Sequence, residues 1–245
     1  MLEDKLKFYR YEQKQMIKVF IGTEPAQWLP TEVLKWSVLK RTQSPVEFRE
    51  LKDIPLKLKI KMYTGFSFYR FSIPDACHFE GRAIYLDADI VVLCDLLELF
   101  QLDMQDKGAL ARPVNERSWL TSVMLLDCAR LKHWKIHDWV TLINSGMASY
   151  KGTMRADPTG LNHRDFGNLA EYWNHLDFVD EKTKIVHYTD VPRQPWKTPG
   201  HPFANTFLKE LKAAIDAGAI TTKAIEDEIK AGHVYPTLLQ DVMNC

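Results

Sequence analysis

Two carboxylates interrupt a stretch of the chain that is otherwise apolar. Residues 83–93 read AIYLDADIVVL, so Asp87 and Asp89 stand two positions apart in a run rich in β-branched residues. Such a run is typical of a strand buried on both faces, where an ionised carboxylate is costly unless positive charge meets it. Residues i and i+2 of a strand share one side, so both carboxylates can converge on one ion where the strand ends. The pattern predicts a divalent cation site there.

Three interpretations of this acidic pair remain open at this point. The aspartates could form a turn or a salt bridge. They could bind a metal ion that holds the diphosphate of a sugar nucleotide. They could also be the nucleophile and acid of a haloacid-dehalogenase-like phosphatase, but that class predicts a pair near the N-terminus and a later Gly-Asp-x-x-x-Asp box. Here the pair follows two β-α steps and no such box occurs, which disfavours the phosphatase.

A histidine near the end of another short apolar stretch is the best candidate for a further ligand. His187 lies within residues 184–188, and the loop that follows carries Arg193 and Lys197 between prolines. One imidazole beside two carboxylates favours Mn²⁺, with Mg²⁺ as the alternative cofactor. The positive charges of the loop suit a diphosphate leaving group. A hydrogen-bonded core histidine is the alternative interpretation of His187.

Alternating strand and helix patterns surround these residues. The pattern predicts an α/β domain with a mostly parallel central sheet flanked by helices. The composition at 144–162 shifts to Gly, Ser, Thr, Pro and Asp, which predicts a long functional loop. After Phe203 the spacing becomes helical, with Gly218 and Gly232 as stops. The predicted strands are 16–23, 46–51, 83–93, 109–112, 122–127 and 184–188, and the predicted helices are 30–40 and 128–143.

The totals exclude several classes of protein. A chain of 245 residues fits one large domain with an appendage, which we assign as domain 1–202 and a helical extension 203–245 packed on it. The extension could instead lie on a membrane or form a homodimer.

Lys plus Arg and Asp plus Glu are 32 each, so no nucleic-acid partner is indicated. No apolar run reaches the roughly 18 residues of a membrane span and no signal peptide is evident, so we expect a cytoplasmic protein.

Five motifs in order make the chain resemble a known family, the retaining glycosyltransferase family 8. This group includes glycogenin and bacterial lipopolysaccharide galactosyl- and glucosyltransferases, and the resemblance runs from about residue 17 to residue 196. Its most specific piece is the Asp-x-Asp stretch with its Asp-Leu-x-Glu-Leu-Phe tail. The motifs are VFIGT at 19–23, FYRFSIP at 68–74, AIYLDADIVV at 83–92 with DLLELF at 95–100, SVMLLD at 122–127, and HYT to QPW at 187–196.

The resemblance implies a GT-A glycosyltransferase fold and a metal-bound UDP-sugar donor. It also implies hexose transfer, of galactose or glucose, to a saccharide, lipid-linked or protein acceptor with retained anomeric configuration. A non-catalytic nucleotide-sugar binder stays the alternative. Asp87, Asp89 and His187 would bind the metal. The implied nucleotide-sugar residues are Gly22, Thr23, Arg70, Asp87, Ala88 and Asp89.

Three boxes depart from the family pattern. Thr121 and Ser122 stand where the family has Ala-Gly after an Asn, so one of them would take over a contact to the sugar. Residues 157–162 (DPTGLN) align with the family's Asp-Gln-Asp-x-Leu-Asn box, which makes Asp157 the candidate for orienting the acceptor. Gln194 replaces a lysine of the last motif, which leaves the phosphate contact to Arg193 or Lys197.

Overall fold

A computed structural model describes residues 15–53 and 59–245. The predicted first domain begins at residue 1, which lies outside these ranges. The strands of the described residues are β1 (Ile17–Gly22), β2 (Val46–Glu50), β3 (Arg82–Asp87), β4 (Ile90–Val92), β5 (Ala109–Asn115), β6 (Ser118–Asp127), β7 (Phe166–Asn168), β8 (His175–Leu176) and β9 (Ile185–His187). The α-helices are α1 (Trp28–Leu39), α2 (Ile73–Ala76), α3 (Leu97–Phe100), α4 (Ile136–Asn144), α5 (Tyr150–Met154), α6 (Ala204–Asp216), α7 (Thr222–Lys230) and α8 (Leu238–Met243).

Two sheets organise the described part of the chain. The larger has six strands in the order β2-β1-β3-β6-β5-β7, and the smaller has the order β4-β9-β8. In the large sheet β1 pairs parallel with β2 and β3, and β5 pairs parallel with β7, while β6 runs antiparallel to β3 and β5. The predicted α/β class with a parallel-rich sheet is confirmed. The antiparallel pairing of β6 with β5 follows from their short hairpin connection, since parallel neighbours need a longer crossover.

Apolar residues fill both faces of the large sheet. Phe20, Tyr85 and Met124 point into one buried cluster, whereas Val19 and Ile84 point into the other. Neighbouring residues of one strand thus face opposite sides, as the alternation of a strand requires. The central strands are therefore buried on both faces, as the sequence predicted for the acidic strand.

The run at 83–93 is not one strand, which corrects the sequence prediction. β3 ends at Asp87, residues 88–89 form a turn, and β4 pairs with β9 in the small sheet. The backbone N–H of Ala88 donates to the carbonyl of Gly22, and that of Val92 donates to Ser37 Oγ on α1. The first bond continues the pairing of β3 with β1, whereas the second bond and the pairing of β4 with β9 direct the chain away from the large sheet. The acidic pair therefore lies at the junction of the two sheets.

The predicted loop at 144–162 contains a short helix, α5. Ser149 caps this helix by accepting a hydrogen bond from the N–H of Gly152. A Cβ atom on Gly160 would lie 2.4 Å from the Gly152 carbonyl carbon, so only glycine permits this close backbone contact. Residues 144–162 therefore form a compact segment that contains a helix, rather than an open loop.

The C-terminal helices pack on the sheet domain through α1. Phe207 and Leu211 of α6 share a buried cluster with Leu29 and Val33 of α1 and with Val186 of β9. Gly218 and Gly232 end α6 and α7 with φ of 73° each, the left-handed conformation that glycine tolerates. Helix α8 was not predicted. Among the described residues, none of the helices has the length and apolar character needed to cross a bilayer.

Candidate metal centre

Three side chains from distant parts of the chain meet at the junction of the two sheets. Asp87 ends β3, Asp89 lies in the following turn, and His187 ends β9. The pairing of β4 with β9 places Ile90 opposite His187, which brings the imidazole beside Asp89. One ligand atom from each side chain lies within 4.8 Å of the others, which is the separation that a shared metal ion requires. The structure thus brings together the three predicted ligands.

Asp87 is fixed through one of its two oxygens. Arg70 Nη2 donates to Asp87 Oδ1 at 3.1 Å, and the hydroxyl of Tyr85 donates to the same oxygen. Burial raises the pKa of Tyr85 well above its ordinary value, so its hydroxyl stays protonated and donates. Both donors use Oδ1, so Oδ2 is the oxygen left for a cation.

Arg70 is itself held by a buried network. Its Nε donates to the carbonyl of Ser67 at 2.8 Å, and its Nη1 donates to the carbonyl of Thr121 at 2.7 Å. Its guanidinium also lies over the ring of Tyr85, 4.6 Å from the centroid. The predicted donor residue therefore orients Asp87 and supplies a fixed positive charge at the site.

The two oxygens of Asp89 also differ in their hydrogen bonding. Gln194 Nε2 donates to Asp89 Oδ2 at 2.9 Å, whereas Asp89 Oδ1 is buried without a hydrogen bond. That oxygen lies 3.0 Å from His187 Nε2. A separation of this size fits neighbouring ligands of a cation with bonds of about 2.1 Å. The orphaned oxygen and the N/O donor set fit Mn²⁺ or Mg²⁺.

The local electrostatics favour a positive charge at this point. Burial lowers the pKa of His187, but the carboxylates of Asp89 and Asp87 outweigh that effect and raise it overall. Burial raises the pKa of Asp87, as does the negative charge of Asp89, although Arg70 opposes both. Two carboxylates held this close repel each other unless a cation or a protonated imidazole lies between them.

Gly22, Thr23 and Ala88 lie beside the cluster. Gly22 is the register partner of Asp87, and its carbonyl accepts the N–H of Ala88 at 3.0 Å. Thr23 is buried, with its Oγ1 2.7 Å from Thr31 Oγ1 on α1. These predicted nucleotide-sugar residues occupy the carboxyl ends of β1 and β3, where open α/β sheets commonly bind ligands.

Thr121 and Ser122 lie on β6 next to the same edge. Thr121 accepts from Arg70 through its carbonyl and donates through Oγ1 to the carbonyl of Met154 at 2.7 Å. Ser122 Oγ accepts from Asn174 Nδ2 at 3.0 Å, and Asn174 Oδ1 is buried without a hydrogen bond. Thr121 contacts Arg70 directly, and both predicted residues already take part in internal hydrogen bonds.

The three remaining predicted residues do not contact the cluster within the described part of the chain. Arg193 is exposed, and its Nε donates to Asp190 Oδ2 at 2.6 Å. Lys197 is half-buried in the same loop. Asp157 accepts from Thr159 N at 2.8 Å and Thr159 Oγ1 at 2.6 Å, and it lines an open cavity of about 860 Å³ with Arg117 and Arg155.

Sequence reasoning missed two residues of the site. Tyr85 precedes Asp87 by two positions, so the alternation of the strand could have placed it on the same side. Gln194 carried no such signal, because 105 positions separate it from Asp89. Its position was interpreted only as the loss of a lysine.

Comparison with known proteins supports the family resemblance. The model of glycosyl transferase family 8 matches residues 26–140, a range that contains both aspartates of the cluster. The resemblance to glycosyl transferase family 8 is confirmed. Protein CDI of Arabidopsis thaliana is 25% identical over 212 residues, which is 72% of this chain and 79% of that protein. The family-model match agrees with the predicted glycosyltransferase class.

Solved glycosyltransferases share the fold of this chain. The galactosyltransferase LgtC, solved with donor and acceptor sugar analogues, has a TM-score of 0.61 and 14% identity over 84% of this chain and 97% of that one. The glycosyltransferase GlyE of Streptococcus pneumoniae TIGR4 has a TM-score of 0.60 and 16% identity over 91% of this chain and 65% of that one. The predicted GT-A fold is confirmed.

Proposed function

We propose that this protein is a metal-dependent, retaining glycosyltransferase that moves a hexose from a UDP-sugar to a saccharide, lipid-linked or protein acceptor. Galactose and glucose are the proposed sugars. The observation that carries the proposal is the meeting of Asp87, Asp89 and His187, with an orphaned buried carboxylate oxygen 3.0 Å from an imidazole nitrogen. The family match supports it.

In this proposal the three side chains hold Mn²⁺, or Mg²⁺ in its place. The bound ion would act as a Lewis acid on the diphosphate of the donor. Arg70 keeps Asp87 in position and adds a preorganised positive charge where the donor's negative charge is held. Gly22, Thr23 and Ala88 form the wall for the nucleotide, and Arg193 or Lys197 meets the departing diphosphate from the loop after β9.

The sugar and the acceptor would lie on the β6 side of the cluster. Thr121 or Ser122 would contact the sugar hydroxyls, since Thr121 binds Arg70 and Ser122 binds Asn174, whose Oδ1 is buried without a hydrogen bond. In a retaining transfer the acceptor hydroxyl can give its proton to the leaving phosphate, so no separate general base is required. Asp157, which lines an open cavity with Arg117 and Arg155, is the proposed residue that orients the acceptor.

UDP release in the presence of Mn²⁺ tests this proposal. The protein is incubated with a panel of UDP-sugars, and released UDP is measured for the wild type and for Asp89→Asn. We expect the variant to lose at least about 100-fold in rate, because a neutral amide is a much poorer ligand for a hard cation. The matched control is Asp138→Asn, an exposed aspartate on α4, which should release UDP at the wild-type rate.

The same experiment separates the alternatives. Phosphate released from sugar phosphates, without UDP release, would support the phosphatase. Binding of Mn²⁺ and a UDP-sugar without turnover would support the non-catalytic binder. A homodimer and a cytoplasmic location are further proposals, which gel filtration and cell fractionation test.

A further inference from the structure

Gln194 is a buried amide that takes part in the candidate metal centre. Gln194 is only 2% exposed. Its Nε2 donates to Asp89 Oδ2 at 2.9 Å and to the carbonyl of Tyr188 at 2.8 Å. Both protons of the amide nitrogen are therefore used. A buried amide with both donors satisfied is held in a single orientation.

The orientation of the Gln194 amide fixes the plane of the Asp89 carboxylate. Rotation of a carboxylate about its last bond changes the directions in which both oxygens point unless a partner holds one of them. Gln194 fixes Oδ2, and the bare Oδ1 then lies 3.0 Å from His187 Nε2. The backbone is fixed as well, because Tyr188 N donates to the carbonyl of Asp89 at 2.9 Å.

The segment that carries Gln194 is anchored by the C-terminal helices. Trp196 is fully buried, and its ring lies 4.8 Å from the ring of Phe207 on α6. Its carbonyl accepts the N–H of Tyr235 at 3.0 Å, in the segment before α8. The helical extension is thus connected to Asp89 through Trp196 and Gln194.

We infer that Gln194 is a positioning residue that orients Asp89 toward the cation, and that the C-terminal helices act on the metal centre through it. This inference rests on the proposed metal-dependent function. It assigns a role to the extension at 203–245 beyond covering the core. Groups that hold metal ligands in place commonly change metal affinity when they are removed.

Replacement of Gln194 by methionine tests the inference. Gln194→Met keeps the length of the side chain and removes both donors. Mn²⁺ affinity is measured without nucleotide, from the electron paramagnetic resonance signal of free Mn²⁺. We expect the dissociation constant to rise about 10- to 100-fold. Excess Mn²⁺ should then restore UDP release, because the variant still has all three ligands.

Gln240→Met, on the exposed side of α8, is the matched control and should bind Mn²⁺ like the wild type.

The outcomes distinguish this inference from the proposed function. An unchanged dissociation constant in Gln194→Met, with binding lost in Asp89→Asn, overturns the inference and keeps the metal site. A lowered melting temperature with unchanged Mn²⁺ affinity shows a structural role only and also overturns it. A wild-type protein that binds no Mn²⁺ overturns the proposed function itself. Where Gln194→Met does not fold, Gln194→Asn replaces it, since the shorter amide cannot reach both acceptors and should also weaken Mn²⁺ binding.

Discussion

At the scale of single residues, the candidate site depends on close packing as much as on charge. Donors occupy one oxygen of each aspartate, and the second oxygen of Asp89 lies beside His187, so small displacements would change the ligand set. Gly22 lies at the closest approach. A Cβ atom there would lie 2.2 Å from the Tyr85 hydroxyl and 2.8 Å from Phe66 Cε2. The glycine is required by the neighbouring side chains and not by its backbone conformation.

Gly22→Ala should therefore destabilise the protein. The added methyl group displaces Tyr85, which removes a donor from Asp87. Overpacking of a buried site typically costs about 1–3 kcal/mol. Urea unfolding measures the free energy, and Mn²⁺ binding should weaken in parallel.

Gly65→Ala is the control for this prediction. Its Cβ would have no atom within 4 Å, so the free energy of unfolding should change by no more than about 0.5 kcal/mol. Equal stability of the two variants would contradict the packing argument at Gly22.

At the scale of elements, the contact between α1 and α6 determines whether the C-terminal helices stay packed on the sheet domain. Glu210 of α6 is 5% exposed. It accepts from Arg41 Nη1 at 3.1 Å and lies 3.4 Å from Lys40 Nζ, just beyond the end of α1. An ionised side chain this deeply buried is stable only with such partners.

Glu210→Ala should weaken the contact between α1 and α6. Loss of charge-assisted hydrogen bonds in a buried position costs about 1–3 kcal/mol. The change is measured by urea unfolding, with proteolysis to detect release of the C-terminal helices. Asp216→Ala is the control on the same helix. It removes an exposed pair with Lys212 and should cost less than about 0.5 kcal/mol. An equal loss of unfolding free energy in both variants would show that the Glu210 contacts do not stabilise the packing of α6 on α1.

The elements show where sequence patterns suffice. Periodicity predicted α6 and α7 because Phe207 and Leu211 repeat at helical spacing and glycines follow each helix. It missed α5 and α8, which are too short to show a period. Residues 83–93 were wrongly joined into one strand, because apolar residues continue through the turn into β4.

At the scale of the whole molecule, burial determines the chemistry of the cysteines. Cys77 and Cys128 are buried, Cys94 is half-buried, and Cys245 is exposed; all four are free thiols. Burial raises the pKa of Cys94 to about 12, so its thiol stays protonated at neutral pH. Since the thiolate is the reactive form, Cys94 should react slowly.

Thiol labelling at pH 7 should therefore consume one equivalent quickly in the folded protein and four after unfolding in urea. The fast phase should disappear in Cys245→Ser and persist in Cys94→Ser. Ellman's reagent with stopped-flow detection measures both phases. A fast phase that survives in Cys245→Ser but disappears in Cys94→Ser would contradict the slow reaction expected of Cys94.

The sequence by itself determined the acidic pair, the histidine and the α/β class. These follow from local facts: residue types that are costly to bury, and apolar spacing that sets strand or helix. It also carried the family resemblance, which directed attention to Arg70, Thr121 and Ser122.

Only the tertiary structure decided how these residues act together. The pairing of β4 with β9 brings His187 to Asp89, and the packing of Trp196 on α6 brings Gln194 to the same carboxylate. Contacts across about a hundred residues depend on how sheets and helices pack. A local pattern in the sequence carries no information on that packing, because many arrangements bury the same apolar faces.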